Sequence, residues 1–257
     1  MILLQSHSFG HEAEPIRLYN FAPTIFEQIS SRKGIKKAIK RGEILVNGQT
    51  SFDGYWLQPN DKIELVNLEL SPPKPYRYKL DVVFEDDDLA IINKPAGIST
   101  SGNFYKTIQN VVVDNLKSSL KHDALKWPKP IHKLDKQTSG LLIIAKTYKA
   151  SQNIGQQFEE KKINKTYHTI VIGTPETKGK ISTYISEKEA ITEYKVLSTF
   201  NSIKNGTLSM LELSPKTGRT HQLRIHLAEL GFPILGDKLY GKKGFILKRK
   251  GLFLCST

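Results

Sequence analysis

His132-Lys133-Leu134-Asp135-Lys136-Gln137-Thr138-Ser139-Gly140 runs directly into Leu141-Leu142-Ile143-Ile144-Ala145, so a polar, small-residue segment opens the longest uninterrupted aliphatic run in the chain. Five aliphatic residues bounded by Gly read as a buried strand. The polar segment is then a loop at a strand end, where a rigid scaffold presents functional side chains. On its own, Asp135 reads first as a turn acceptor. A second stretch changes its weight: Thr217-Gly218-Arg219-Thr220-His221-Gln222-Leu223-Arg224-Ile225-His226 gathers two Arg, two His and a Gln at the start of a helix. That helix is expected from His221 to Leu230, with Leu223, Leu227 and Leu230 as its buried stripe and Gly231 as its stop. Arg224 shares a face with His221 and Ala228. An isolated Arg belongs by default on a solvated face. Paired with Asp135 in a partly buried cleft, each charge would lower the desolvation penalty of the other.

Outward from these segments, Leu80–Phe84 and Leu89–Asn93 read as short strands joined by the acidic loop Glu85–Asp88. Further strands are expected at Leu141–Ala145, Tyr167–Ile172, Glu193–Leu197 and Leu208–Leu213, and helices at Ile108–Leu116 and Ala150–Glu160. Strands and helices do not alternate strictly. The fold class is therefore α+β, a mixed, largely antiparallel sheet with flanking helices over residues 79–257. Ser71-Pro72-Pro73-Lys74-Pro75 marks a proline-rich linker, 71–78, that neither helix nor sheet interior tolerates. Residues 21–70 form a small unit of their own. Ile25, Phe26 and Ile29 stand at helical spacing, and a second helix over Ile35–Arg41 follows. Strand Ile44–Val46 enters a turn at Asn47-Gly48, and Pro59-Asn60-Asp61 precedes a strand at Lys62–Leu65. The first 20 residues have no clear period and read as a lead-in.

The chain has 257 residues, 39% of them apolar besides 18 Gly, enough to bury a core. Its 38 Lys and Arg against 25 Asp and Glu give a net charge of +13, and the pI is about 9.6. That is the electrostatic footprint of a protein whose partner is a polyanion, nucleic acid first of all. The charge is concentrated. Lys33, Lys36, Lys37 and Lys40 fall on one face of the second helix, opposite Ile35, Ala38 and Ile39. With Arg32 and Arg41 they make six cations in ten residues without an acid, a pattern suited to phosphate contacts. Lys242, Lys243, Lys248, Arg249 and Lys250 could extend the track. The single Cys255 excludes an intramolecular disulfide, which fits a reducing, cytoplasmic setting. No apolar run approaches the roughly 20 residues of a membrane span. His221 and His226, five apart, do not match zinc-ligand spacing, so no metal is expected. Asn93-Lys94-Pro95-Ala96-Gly97 reads as a strand exit rather than a phosphate loop.

From about residue 80 the chain resembles the RluA family of RNA pseudouridine synthases. Three motifs carry the resemblance in order: Phe84–Gly97, His132–Ala145, and Thr217–His226 with Gly231-Phe232-Pro233-Ile234-Leu235-Gly236-Asp237. Residues 24–66 are similar to an S4-type RNA-binding module, a small α/β domain. The resemblance implies isomerisation of a uridine already in RNA, without metal or organic cofactor. It makes Asp135 the catalytic aspartate, Tyr167 the active-site tyrosine and Arg224 the arginine that pairs with the aspartate. His132, Lys133, Arg219 and His221 are expected to contact RNA beside them. The carboxylate could attack the sugar as a nucleophile or remove a sugar proton, and the sequence leaves both routes open. Tyr167 would set an aromatic face beside the base and a hydroxyl near C5. Ribosomal RNA is the expected substrate, with transfer RNA as alternative, and the enzyme is expected to act as a monomer. The rival reading is a non-catalytic RNA-binding or ribosome-assembly factor that retains the fold. Two features depart from the family. Lys133 stands where an Arg is usual, replacing a planar fork with a point charge. Gly251–Cys255 resembles the start of the family's final strand region, so a C-terminal piece is expected to be missing.

Overall fold

The structure, a computed structural model, describes residues 2–11, 13–29, 31–67, 74–202, 206–241 and 251–257. The chain divides between Pro72 and Pro73 into two compact units.

In the first unit, strand β1 (Ile2–Ser8) is followed by helices α1 (Leu18–Ile25) and α2 (Arg32–Lys40). Strands β2 (Ile44–Val46), β3 (Gln49–Thr50) and β4 (Lys62–Asn67) complete it. The antiparallel sheet has the order β1-β4-β2-β3. Leu18, Ala22 and Phe26 face Ile35, Ala38 and Ile44 in its core. The Ser31 hydroxyl caps α2 by accepting from Gly34 N–H at 3.1 Å. Asn47 (φ 53) and Gly48 (φ 76) supply the two left-handed residues of the tight β2–β3 turn. Two expectations are corrected here. The lead-in is a strand paired with β4 over Ile2–Ser8. The first helix ends at Ile25 instead of starting near Thr24. Its buried stripe is Leu18–Ala22–Phe26, and Pro23, a residue that normally breaks a helical pattern, lies inside it.

The second unit begins with β5 (Asp81–Glu85), β6 (Leu89–Lys94), α3 (Ile108–Asn115), β7 (Ala124–Pro130), β8 (Ser139–Thr147) and α4 (Tyr148–Glu159). It continues with β9 (Tyr167–Ile172), β10 (Lys178–Ile185), β11 (Lys188–Ser202), β12 (Gly206–Pro215), α5 (Gln222–Glu229) and β13 (Leu254–Ser256). They build one mixed sheet of order β10-β11-β12-β9-β13-β8-β6-β5, with β7 also on β8. Only the β13–β8 pairing is parallel among the described strands. One core packs α3 on β6 and β8 through Ile108, Val111, Ile92 and Ile144. A second packs α5 on β9 and β12 through Leu223, Leu227, Val171 and Leu211. Of the expected α5 stripe, Leu230 is the exception at 38% exposed. There Gly231 (φ 91) turns the chain so that Phe232 N–H reaches Leu227 O.

The last strand positions the site. β13 lies between β8 and β9, pairing Ser256 with Gly140 on one side and with Tyr167 on the other. Gly140 has φ 108, and a Cβ there would stand 2.0 Å from Ser256 O, so only glycine lets the strands approach. The loop before β8 and the start of β9 are thereby brought to one end of the sheet. Lys242, Lys243, Lys248, Arg249 and Lys250 lie outside the described residues.

Candidate active site

Asp135 sits in the loop entering β8, and that loop is held from below. Its neighbour Leu134 is buried, accepting from Thr100 Oγ1 at 2.8 Å and donating to it at 3.2 Å. Gly97 N–H donates to Lys136 O at 2.7 Å. Lys94 is fully buried. Its ammonium donates to Pro95 O (3.0 Å), Ile98 O (2.9 Å) and Lys136 O (3.4 Å). Burial brings its pKa down to about 8, against the pull of the Asp135 charge. Asn93–Gly97 is thus a strand exit that also braces the Asp135 loop. Lys94 was missed, although it was findable: Ala90, Ile92 and Lys94 alternate on the buried face of β6.

The α5 side is fixed by Gln222, which is buried. Its amide donates to Ile191 O and Thr192 Oγ1, and its carbonyl accepts from Thr217 Oγ1 and Arg219 N–H. His221, just before the helix, has the left-handed φ of 56, uncommon for a residue with a Cβ. Its Nδ1 lies 3.0 Å from Tyr240 Oη and its Nε2 3.9 Å from Asp135 Oδ2. Arg224 Nη1 is 4.0 Å from the same Asp135 oxygen.

These distances make the expected pairing of Arg224 with Asp135 a loose ion pair. Arg224 makes its bidentate contact with Asp237, Nε and Nη2 each donating at 2.8 Å. Asp237 is 2% exposed and Arg224 6%. The carboxylate also accepts from Leu239 N–H (2.9 Å) and Tyr240 N–H (3.1 Å). Burial alone would raise the Asp237 pKa, yet the bonds from Arg224 and these amides hold it below the ordinary value. The Arg224 guanidinium lies over the Tyr240 ring, 5.0 Å from its centroid. The arginine is therefore fixed from behind and presents one edge to Asp135. Asp237 closes the third sequence motif, but only the fold reveals it as the anchor.

Tyr167 opens β9 on the far wall. Burial raises the pKa of its phenol, a hydrogen bond with Ser256 opposes that, and the Asp135 charge adds to the rise. The phenol is protonated at neutral pH. His132, expected to contact RNA, stands in the loop just before Asp135. Burial, with Lys165 nearby, lowers its pKa to about 4. Its Nε2 accepts from Ile143 N–H at 3.2 Å, and its ring packs on Phe158. It is a neutral wall residue. Lys133 is exposed, and Arg219 is anchored by Nε to Glu189 O at 3.0 Å. Asp135, Tyr167, Arg224, His132, Lys133, Arg219 and His221 all line one cavity of about 570 Å³. Arg32, Lys33, Lys36, Lys37, Lys40 and Arg41 belong to the first unit. Among the described residues no cluster of His, Cys, Asp and Glu could hold a metal ion, and no helix is long and apolar enough to cross a membrane.

A carboxylate on the floor of a cation-lined cleft, carried by an antiparallel α+β scaffold, defines an enzyme site suited to a polyanionic substrate. Comparison with known proteins specifies it further. The RNA pseudouridylate synthase family matches residues 88–229, more than half of the chain, and the protein belongs to that family. It is an isomerase that converts uridine in RNA to pseudouridine. A large-subunit ribosomal pseudouridine synthase C of Rickettsia conorii is 36% identical over 86% of this chain and 80% of its own. An uncharacterized RNA pseudouridine synthase of Aquifex aeolicus is 32% identical over 96% of this chain and 83% of its own. Among solved structures, human RNA pseudouridylate synthase domain containing 1 has a TM-score of 0.57 at 24% identity. It covers 74% of this chain and 79% of that one. At that identity it attests the fold.

Proposed function

We propose that the substrate is large-subunit ribosomal RNA, that Asp135 is the reactive carboxylate, and that the first unit is an S4-like module that grips the RNA backbone. The observation that carries the site is the half-buried Asp135, aimed into the cavity between Arg224 and Tyr167. The substrate reading rests on the relatives named for the ribosomal large subunit. In the module, Arg32, Lys33, Lys37 and Lys40 are exposed on or beside α2. Lys36 is partly engaged by Asp53 (3.7 Å) and lies over the Tyr19 ring, and Arg41 is bonded to Glu43.

The target base leaves its stack to enter the cleft, since a stacked base cannot reach a carboxylate at the cavity floor. Asp135 then attacks C1′ or removes a sugar proton, and the N1–C1′ bond breaks. The freed uracil anion turns, and C5 bonds to C1′ as the Asp135 ester is displaced or, in the other route, as the sugar proton is returned; the C5 proton then leaves and N1 takes up a proton. Arg224, backed by Asp237, orients Asp135 without locking it in a hydrogen bond. At 4.0 Å the pair attracts but leaves the carboxylate oxygens open to the sugar. The protonated Tyr167 gives its ring as a face for the turning base, and its hydroxyl acts as donor rather than as phenolate base. The test is pseudouridine mapping on large-subunit ribosomal and transfer RNA transcripts incubated with the full chain. A discrete ribosomal site is expected. Modification confined to transfer RNA would overturn the substrate assignment.

A further inference from the structure

We propose that a second cavity beside the catalytic cleft is a subsite for a nucleotide adjoining the target uridine, with its phosphodiester between Lys161 and Lys165. The inference rests on the RNA reading above and extends it to substrate positioning. The second cavity has about 290 Å³ and shares Phe158, Lys161, Lys165, Pro215 and Lys216 with the wall of the larger one. Asn164, Thr166 and Ser214 add amide and hydroxyl groups to its lining. An apolar wall with a few polar groups and a cationic edge is the chemistry of a nucleotide pocket.

Two further observations point to an anion. Lys161 follows α4 with φ 58, closing the helix by donating to Phe158 O while Lys162 N–H reaches Gln157 O. Glycine is the usual residue at that left-handed position, so lysine there costs backbone strain and places a charge at the cavity mouth. Lys165 is half-buried and donates to Thr217 O at 3.1 Å, in the same loop that Gln222 anchors beside the catalytic cleft. Burial and the Lys161 charge both lower the Lys165 pKa, so the two cations repel. Nearby carboxylates serve other lysines: Glu160 pairs with Lys162 at 2.6 Å and Glu193 with Lys216 at 2.9 Å. Glu159, exposed at the larger cavity, has no ion pair with either among the described residues. A phosphodiester oxygen placed between Lys161 and Lys165 would turn that repulsion into two charge-assisted contacts.

The test uses loop oligoribonucleotides containing one uridine, each with one flanking phosphate replaced by an uncharged methylphosphonate, and measures equilibrium binding to the full chain. Neutralising one particular linkage should weaken binding about tenfold. In Lys161→Gly and Lys165→Gln the unmodified RNA should bind about tenfold more weakly, and the same linkage should no longer matter. Lys161→Gly relieves the left-handed strain, so its thermal stability should be equal or higher, which separates lost binding from lost fold. Equal tolerance at every linkage, or the full methylphosphonate penalty retained in Lys161→Gly, would overturn the proposal. Tritium release from the same oligonucleotides reports the isomerisation separately, so failure of the reaction and failure of the subsite give different results.

Discussion

Asp237→Asn preserves volume and removes one charge from behind the site. Asp237 and Arg224 are 2% and 6% exposed and share two 2.8 Å hydrogen bonds. The asparagine amide has one acceptor where the carboxylate had two. In either orientation it confronts Arg224 with an N–H group, and in one of them it also releases the Leu239 and Tyr240 amides. Among the described residues, Arg224 is left buried with only Asp135, 4.0 Å away, as a counter-charge. Removing one partner of a buried pair costs about 3–5 kcal/mol. At roughly 2–4 °C per kcal/mol, the melting transition of the catalytic unit should fall by roughly 6–20 °C. The carboxyl has a folded pKa below its ordinary 3.8. Its contribution is therefore present above that value and lost as pH falls through the lower one, so the gap between native chain and variant should narrow below pH 4. Urea denaturation at pH 7 and at pH 3.5 reads both effects. A companion double variant, Arg224→Met with Asp237→Leu, removes both charges. It also takes the acceptor from the Leu239 and Tyr240 amides, so it should recover only part of the single variant's loss while losing isomerase activity, because Asp135 has lost its cation. A loss below about 1 kcal/mol in Asp237→Asn, or a double variant as unstable as the single one, would refute this account of the pair.

Gly140→Ala should destabilise by about 2 kcal/mol or more, because φ 108 disfavours a side chain and the Cβ would overlap Ser256 O. An unchanged urea midpoint would contradict the close approach of β13 to β8. For His132, whose folded pKa of about 4 lies below the ordinary 6.5, the unfolded chain takes up the proton first. Stability should thus decline from pH 6.5 toward 4, and His132→Gln should flatten that decline in pH-dependent melting curves. Lys33→Glu with Lys37→Glu should weaken RNA binding and reduce the slope of log K against log salt by roughly 0.7–0.9 per lost phosphate contact. An unchanged slope would remove α2 from the RNA interface.

The parts of the fold legible in the sequence are those where hydrophobic period and burial coincide. Leu141–Ala145 and Tyr167–Ile172 are central strands whose apolar residues Leu142, Ile144 and Val171 are fully buried. β10 escaped because it is an edge strand whose Lys178 and Lys180 stand out to solvent, which dilutes its alternation. β1 and β13 are defined by their partners: Ile2–Ser8 gains its register from β4, and Leu254–Ser256 from β8 and β9. At the site, Asp135, Tyr167 and Arg224 were readable from local motifs, and the cavity brings them together. Their supports were less readable, since Asp237 lies 13 residues beyond Arg224 and Lys94 reaches Lys136 O across 42. Long-range partners leave no local period. The neutral state of His132 is likewise invisible in the sequence, because only the fold buries it against Phe158.

The most direct measurement is tritium release from RNA labelled at uridine C5, with the native chain beside Asp135→Asn, scored together with RNA binding and melting temperature. The label is lost when C5 becomes bonded to the sugar. The account predicts that Asp135→Asn keeps its fold and its RNA affinity within a fewfold and releases no tritium above background. Release at the native rate by that variant would contradict the assignment of the reaction to Asp135.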